Sequence, residues 1–435
     1  MLSTLKDRFD KNFQLLINVQ DLHDHIAVAV SGGSDSIALL FLLSSWCKKS
    51  NTKLSVLSVN HNLRPQACDE IHYVRNLAEE LKHDFYKLSW DAGITKSSIQ
   101  ERARKGRYDL MSKKCKELGI KTLLTAHHFD DMLETYLMRR HKKSGIFGLS
   151  SSYSFFYKDI QVLRPLFDIR KNDLITYLKE NKIEWIEDSS NQSDLYERNR
   201  VRKKIALLPS GEKYKLEGEL NEVNKKVKDL TKNLISGIAE SVEINNCGFA
   251  IIDLTILSGF HFDIIVQILN YVLTVISGKE SLPRYRNLEK LPPRLTDTNL
   301  KCSLHGCIVK KILGNKLIIF REESSICSSE VKLNSKEHWD NRFEILFTEE
   351  IGDDYVIDSL KLPDYVSIKD KLNLHEFKKF SYNNHKSILF TLPIIKNRKK
   401  IVAIPSISYY DDCVFEAAIE VIFRPNFTSR FTHFF

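Results

Sequence analysis

No two of the eight cysteines in this 435-residue chain form a CxxC pair. The ligand spacings of zinc ribbons and iron–sulfur centres are therefore missing, and reduced thiols in a cytoplasm are the expectation. No apolar run approaches the roughly 18 to 20 residues that cross a bilayer, so no membrane partner is expected. The stretch MLSTLKDRFDKNF at the N-terminus is amphipathic and carries acids, unlike a secretory signal or a clear transit peptide. Two common phosphate-binding signatures are also absent. No Gly-Lys-Ser/Thr follows the glycine turn near the N-terminus, and no GxGxxG occurs. The chain carries no convincing internal repeat.

What is present begins with Ile26-Ala27-Val28-Ala29-Val30, a short apolar run of the kind a strand buried on both faces requires. Ser31-Gly32-Gly33-Ser34-Asp35-Ser36 is a tight polar turn, and from Ile37 the pattern becomes helical, with Leu40, Phe41 and Leu43 at helical spacings. Strand, glycine turn and helix N-terminus together aim backbone N–H groups at one point, which makes an anion site. Asp35 sits inside that cradle, where a carboxylate can hold Mg²⁺ against phosphate oxygens. The plain alternative is a glycine turn that only joins strand to helix.

Hydrophobic residues make up 43% and charged residues 28% of the chain, as in an ordinary globular protein, and the length predicts two to four domains. A net charge of +9 permits a nucleic-acid partner. Up to about residue 190, strand-like and helix-like segments alternate. Strands are predicted at 54–59, 85–88 and 122–126, and helices at 69–82, at 98–118 and from about Asp131. That alternation predicts an α/β domain with a doubly wound parallel sheet, whose ligands sit beyond the strand C-termini. The polar stretches VNHNLR and TAHHFDD fall at such ends. Leu216, Leu220, Val223, Val227, Leu230 and Leu234 then predict a long amphipathic connector helix. The expected domains are 1–212, a small mainly helical domain over 213–325, and a β-rich module over 340–435. The helical domain is predicted to hold an apolar helix at 263–276 and a hairpin turning at Gly314-Asn315. Residues 322–341 are polar and read as a linker.

Three further stretches carry candidate chemistry. In Thr125-Ala126-His127-His128-Phe129-Asp130-Asp131-Met132-Leu133-Glu134, a helix starting near Asp130 puts Asp131 and Glu134 on one face. The cluster reads as a metal box, as a carboxylate sharing Mg²⁺ with Asp35, or as a capped helix with two surface histidines. Arg104 and Arg107 lie three apart on a predicted helix, a spacing suited to charge building on a phosphate or to a solvated face. Glu187-Asp188-Ser189-Ser190-Asn191, followed by Arg198 and Arg202, reads as an acidic turn before a basic segment able to meet RNA phosphates.

SGGSDS resembles the PP-loop of the ATP pyrophosphatase superfamily. Together with Asn60-His61-Asn62-Leu63-Arg64, QERARKGRY, AHHFDDMLET, LRPL at 163–166 and EDSSN…RNRVR, its order and spacing resemble the tRNA(Ile)-lysidine synthase family over about residues 20 to 210. The resemblance implies a fold like the PP-loop, adenine nucleotide alpha hydrolase-like domains. It implies ATP and Mg²⁺, a tRNA(Ile) with anticodon CAU and free L-lysine. The wobble cytidine is adenylated at C2, the lysine ε-amine displaces AMP, and reading shifts from AUG to AUA. Carried over, Ser31, Gly32, Gly33, Ser34, Asp35 and Ser36 would bind ATP, with Asp35 on the metal. Asp131 would stand at the metal or the substrate amine. His127 with Arg104 or Arg107 would serve the α-phosphate, and Arg198 and Arg202 would contact tRNA.

The chain departs from the family pattern in three places. Asn60 stands where an Asp is usual, Met132 where a Gln is usual, and Leu392-Pro393-Ile394-Ile395 where an arginine-rich signature is usual. Oligomeric state stays open, a homodimer among the options. The rivals are a PP-loop tRNA thiolase, for which a CxxC is missing, a metal-dependent hydrolase built on HHFDD, and a non-catalytic RNA-binding protein.

Overall fold

The computed structural model describes residues 4–17, 24–60, 67–90, 99–187, 197–326, 331–332, 336–347, 355–397, 400–411 and 418–425. It divides into two compact units, Met1–Val227 and Lys228–Phe427. Among the described residues no helix is long and apolar enough to cross a membrane.

The first unit contains helices α1 (Leu5–Leu16), α2 (Ser34–Ser50), α3 (Ala67–Glu80), α4 (Ile99–Glu117), α5 (Phe129–His141), α6 (Ile146–Leu149), α7 (Lys171–Glu180) and α8 (Glu197–Leu207), and the start of α9 (Ser210–Ser241). Its strands are β1 (His25–Ala29), β2 (Lys53–Asn60), β3 (Asp84–Ser89), β4 (Thr122–Leu124), β5 (Ser154–Tyr157) and β6 (Ile160–Leu163). They form one sheet in the order β3-β2-β1-β4-β6-β5. All neighbours run parallel except the β5–β6 pair, which is an antiparallel hairpin.

The apolar run in β1 is explained by burial on both faces. Ile26 and Val28 join one core with Ile37 and Leu40 of α2, while Ala27 faces a second core with Leu123, Tyr108 and Met111. The strand order reverses between β1 and β4, so a crevice opens beyond their C-termini. The turn after β1 and the turn after β4 both end there. This placement follows from topology, and it is what brings SGGSDS beside HHFDD.

The amphipathic pattern at 216–223 is also accounted for. Leu216, Leu220 and Val223 of α9 pack on Met132, Leu133 and Tyr136 of α5.

The second unit carries the apolar helix, here Phe262–Ser277, and the expected hairpin, β10 (Cys307–Ile312) with β11 (Lys316–Arg321). Two strands that periodicity did not single out, β7 (Val242–Asn245) and β8 (Phe249–Asp253), join them with β9 (Lys301–Leu304) in a five-stranded sheet, β7-β8-β11-β10-β9. The polar stretch 322–341 is not only a linker. Among its described residues it forms β12 (Val331–Lys332) and β13 (Lys336–Trp339), and β13 pairs with β14 (Phe343–Phe347).

Its polar residue Asp340 is buried because it receives Arg321 Nε at 3.0 Å and Arg342 Nε at 2.7 Å. Strands β15 (Tyr355–Ser359), β16 (Pro393–Asn397), β17 (Lys400–Ile404) and β18 (Tyr409–Tyr410) form a sheet with β12, and β19 (Ile419–Phe423) closes the sheet of β13 and β14. The C-terminal part is thus β-rich. Lys399 and Arg398 of its basic cluster lie outside the described residues.

Candidate active site

The loop after β1 is built to leave amides unpaired. Gly33 is the N-cap of α2 with φ −72° and ψ 158°, and with no side chain it cannot cap the helix. The first-turn N–H groups of Ser34, Asp35 and Ser36 therefore lack intrahelical partners and point out of the helix end. Gly32 adopts φ +89°, a region glycine enters at no steric cost. Its carbonyl accepts the Ile186 N–H at 3.0 Å. Ser36 Oγ donates to the Gly33 carbonyl at 2.9 Å and accepts the Ser31 N–H at 3.2 Å, so the Ser36 side chain fixes the loop from within. The positive end of a 17-residue helix adds its field to the amides, which suits phosphate. Asp35, a quarter exposed, projects from the first turn at this mouth. One carboxylate beside phosphate oxygens is the kind of donor set Mg²⁺ accepts.

From the turn after β4 come His127, His128 and α5. His128 is extended at the α5 N-cap, and Asp131 Oδ2 accepts its N–H at 3.1 Å. The buried His128 ring faces carboxylates on two sides. Its Nε2 lies 3.5 Å from both Asp35 Oδ2 and Asp131 Oδ2, and its Nδ1 lies 3.6 Å from Asp130 Oδ2. Neither ring nitrogen makes a well-aligned hydrogen bond, so these contacts act chiefly through charge.

Burial alone would push the His128 pKa down, but Asp35, Asp131 and Asp130 outweigh it and the net shift is upward. For Asp35, burial acts to raise the pKa. His128, with Lys171 Nζ at 3.6 Å and the Ser34 hydroxyl, outweighs burial, and the carboxyl lies below its ordinary value.

His127 has the opposite surroundings. Its Nδ1 lies 3.2 Å from Thr125 Oγ1. Burial, followed by the charges of Arg164, Arg104, Arg198 and Arg107, holds it well below the ordinary imidazole value. The two histidines therefore diverge, His127 pushed down by burial among cations and His128 pushed up among acids. Among the described residues no group of three or more His, Cys, Asp or Glu is arranged to hold a metal ion. The metal-box reading of HHFDD thus lacks a convergent ligand set.

The arginines gather on the His127 side. Arg104 lies over the Tyr108 ring at 5.2 Å. Gly106 lies between Arg104 and Arg107 in sequence, and a Cβ there would meet Trp90 Nε1 at 2.1 Å, so glycine lets the indole close on α4. Arg164, at the end of β6, donates from Nη1 to the Ser152 carbonyl at 2.8 Å and sits over Phe155 at 4.9 Å. Its buried Nε has no hydrogen-bond partner among the described residues. His127, Asp131, Thr135, Arg139, Ser152 and Arg164 line a cavity here.

On the far side of Asp131, Arg198 Nη2 donates to Asp131 Oδ1 at 2.9 Å and its Nε to Glu134 Oε2 at 2.7 Å. Arg202 Nε donates to Glu134 Oε1 at 2.6 Å. Both arginines are thus engaged by carboxylates of α5.

The structure therefore brings Asp35, Asp131, His127, Arg104 and Arg107 around one crevice. Arg164 and Lys171 were missed as site residues. Arg164 carries a signal in its position at a strand C-terminus, whereas Lys171 is recruited only through the packing of α7. Asn60 ends β2 buried, and its carbonyl accepts the Trp90 N–H at 2.9 Å. His61, Leu63, Arg64, Asp188, Ser189 and Asn191 lie outside the described residues.

Comparison with known proteins gives the same reading. The PP-loop domain family matches residues 5–208. The tRNA(Ile)-lysidine synthase of Rickettsia bellii (strain OSU 85-389) is 45% identical across 99% of this chain and 100% of its own length. That of Rickettsia akari (strain Hartford) is 46% identical with the same coverage. The chain belongs to the tRNA(Ile)-lysidine synthase family. As a lysidine synthase family member it is an ATP-using PP-loop ligase of tRNA modification. A solved structure, the U34-tRNA thiolase NcsA from Methanococcus maripaludis, is 18% identical over 51% of this chain and 77% of its own, with a TM-score of 0.43.

Proposed function

We propose that the protein joins free lysine to C2 of the wobble cytidine in a tRNA(Ile) with anticodon CAU, through an adenylated cytidine, giving lysidine. The cytidine O2 attacks the α-phosphorus of ATP and pyrophosphate leaves. The lysine ε-nitrogen then attacks C2, a proton is lost from it, and AMP leaves. The observation that carries this reading is the convergence of Asp35 and Asp131 on His128 Nε2, each at 3.5 Å, beside a glycine-capped helix end.

In this reading the loop from Ser31 to Ser36 cradles the β- and γ-phosphates, with the amides of Ser34, Asp35 and Ser36 donating to them, and Asp35 would hold Mg²⁺, which supplies charge neutralisation on the phosphates when bound. His127 is neutral and donates one hydrogen bond to the α-phosphate, where Arg104, Arg107 and Arg164 offset negative charge as it builds. Arg198 and Arg202 hold Asp131 and Glu134 in place, and their exposed edges meet tRNA. The second unit binds the remainder of the tRNA.

Incubation with ATP, Mg²⁺, labelled lysine and a CAU-anticodon tRNA(Ile) transcript tests the proposal. Label in the RNA is expected. AMP release supported only by another nucleophile or another RNA would overturn it.

A further inference from the structure

The corner between α8 and α9 carries two large apolar side chains in solvent that no core explains. Leu207 is 85% exposed and Tyr214 is 80% exposed. The pattern of α9 accounts for part of this. Leu216 and Leu220 face α5, and Tyr214, two residues before Leu216, points to the opposite side. The residues one turn away on that outer face are Gly211 and Gly218, and a Cβ at either would meet nothing within 4 Å. Neither position therefore places a side chain over the Tyr214 ring, which is 80% exposed. Lys213 Nζ donates to the Ala206 carbonyl at 2.9 Å and fastens the start of α9 to the end of α8, so that Tyr214 and Leu207, each next in the chain to a bonded residue, share one corner.

The surroundings select the occupant. From Arg198 to Lys215 the chain has seven basic residues and one acid, Glu212. Lys203, Lys204 and Lys215 are exposed. The same helix, α8, begins at Arg198, which is bonded to Asp131, and runs about 14 Å to Leu207 at 1.5 Å per residue. A flat aromatic among lysines, a short way from the reacting centre, is the arrangement that binds unpaired nucleotides. Bases stack on the ring while lysines meet phosphates.

We infer that Tyr214, at the same exposed corner as Leu207, is a stacking platform for an unpaired base flanking the nucleotide to be modified, and so positions the RNA loop in the crevice. This rests on the tRNA reading above.

The test uses the full-length protein and a CAU-anticodon transcript carrying 2-aminopurine next to the wobble position. Tyr214→Ala is expected to raise KM for the transcript roughly ten-fold, to leave KM for lysine and ATP unchanged, and to lose the fluorescence quenching seen on binding. Tyr214→Phe keeps the ring and is expected to behave as the wild type. An unchanged KM for RNA in Tyr214→Ala overturns the inference, as does equal impairment by Tyr214→Phe. A change of oligomeric state with RNA binding intact also overturns it, and assigns the patch to a second copy of the chain. If the wild type modifies no such transcript, the functional reading is overturned and the inference falls with it, whereas a transcript modified by the wild type with RNA binding unchanged in Tyr214→Ala overturns the inference alone.

Discussion

His128 Nε2 stands 3.5 Å from Asp35 Oδ2, and this contact links the phosphate loop after β1 to the helix that follows β4. The same nitrogen lies 3.5 Å from Asp131 Oδ2. Two carboxylates of like charge would repel each other across the crevice. The imidazole between them, whose net pKa shift is upward, offsets that repulsion when it is protonated.

Asp35→Asn keeps the shape of the site and removes the charge that the proposed function assigns to Mg²⁺. Pyrophosphate release is expected to fall by about 10²–10³-fold or more, the range seen when one charge-stabilising group is lost. The far-ultraviolet circular dichroism should be unchanged, because Asp35 is partly exposed and caps no core. Near wild-type turnover in this variant would remove Asp35 from its assigned role.

Glu134 is buried and depends on two arginines of α8. Removing Arg198 alone leaves Arg202 as a partner and is expected to cost about 2 kcal/mol in thermal or urea unfolding. Removing both strands a buried charge, at about 3–5 kcal/mol. Adding Glu134→Gln to the double variant should recover part of that loss. A double variant as stable as the single one would show that Glu134 does not rely on this pair.

Most of the first unit was legible in the sequence because its elements announce themselves locally. The β1 run, the glycine turn and the helical pattern after Ile37 predict strand, loop and helix, and the βα alternation predicts where the loops meet. The sequence did not show the opposite surroundings of His127 and His128. Those of His127 depend on Arg164, brought in by β6 from more than 30 residues away, and those of His128 on Asp35, from the loop after β1. The second unit was harder to read. β7 and β8 are short, and Asp340 looked like linker polarity because its partner Arg321 is remote in the chain.

His127 predicts a pH effect on stability. Its folded-state pKa lies well below 6.5, and the unfolded chain titrates near 6.5. Between those values the unfolded state binds the extra proton, so stability is complete above about pH 6.5 and falls as the pH drops below it, by up to ~1.4 kcal/mol per unit. His127→Gln should flatten that part of the curve. An identical slope in the variant would contradict the assignment.

In the second unit, Asp340→Asn would leave Arg321 and Arg342 as buried cations with no neutralising partner. Burial already brings Arg342 down to about 10 with the aspartate present. A loss of about 3–5 kcal/mol is expected, read as a lower midpoint in urea. A change below 1 kcal/mol would show that the triad does not hold β13 to its surroundings.

The most direct test of the central claim is mass spectrometry of nucleosides from a CAU-anticodon tRNA(Ile) transcript incubated with the enzyme, ATP, Mg²⁺ and lysine. The account predicts that the wobble cytidine alone gains one lysine less one water, only when ATP is present, and that Asp35→Asn leaves it unmodified. An unmodified cytidine with the wild-type enzyme, or lysine attached at another nucleotide, would contradict it.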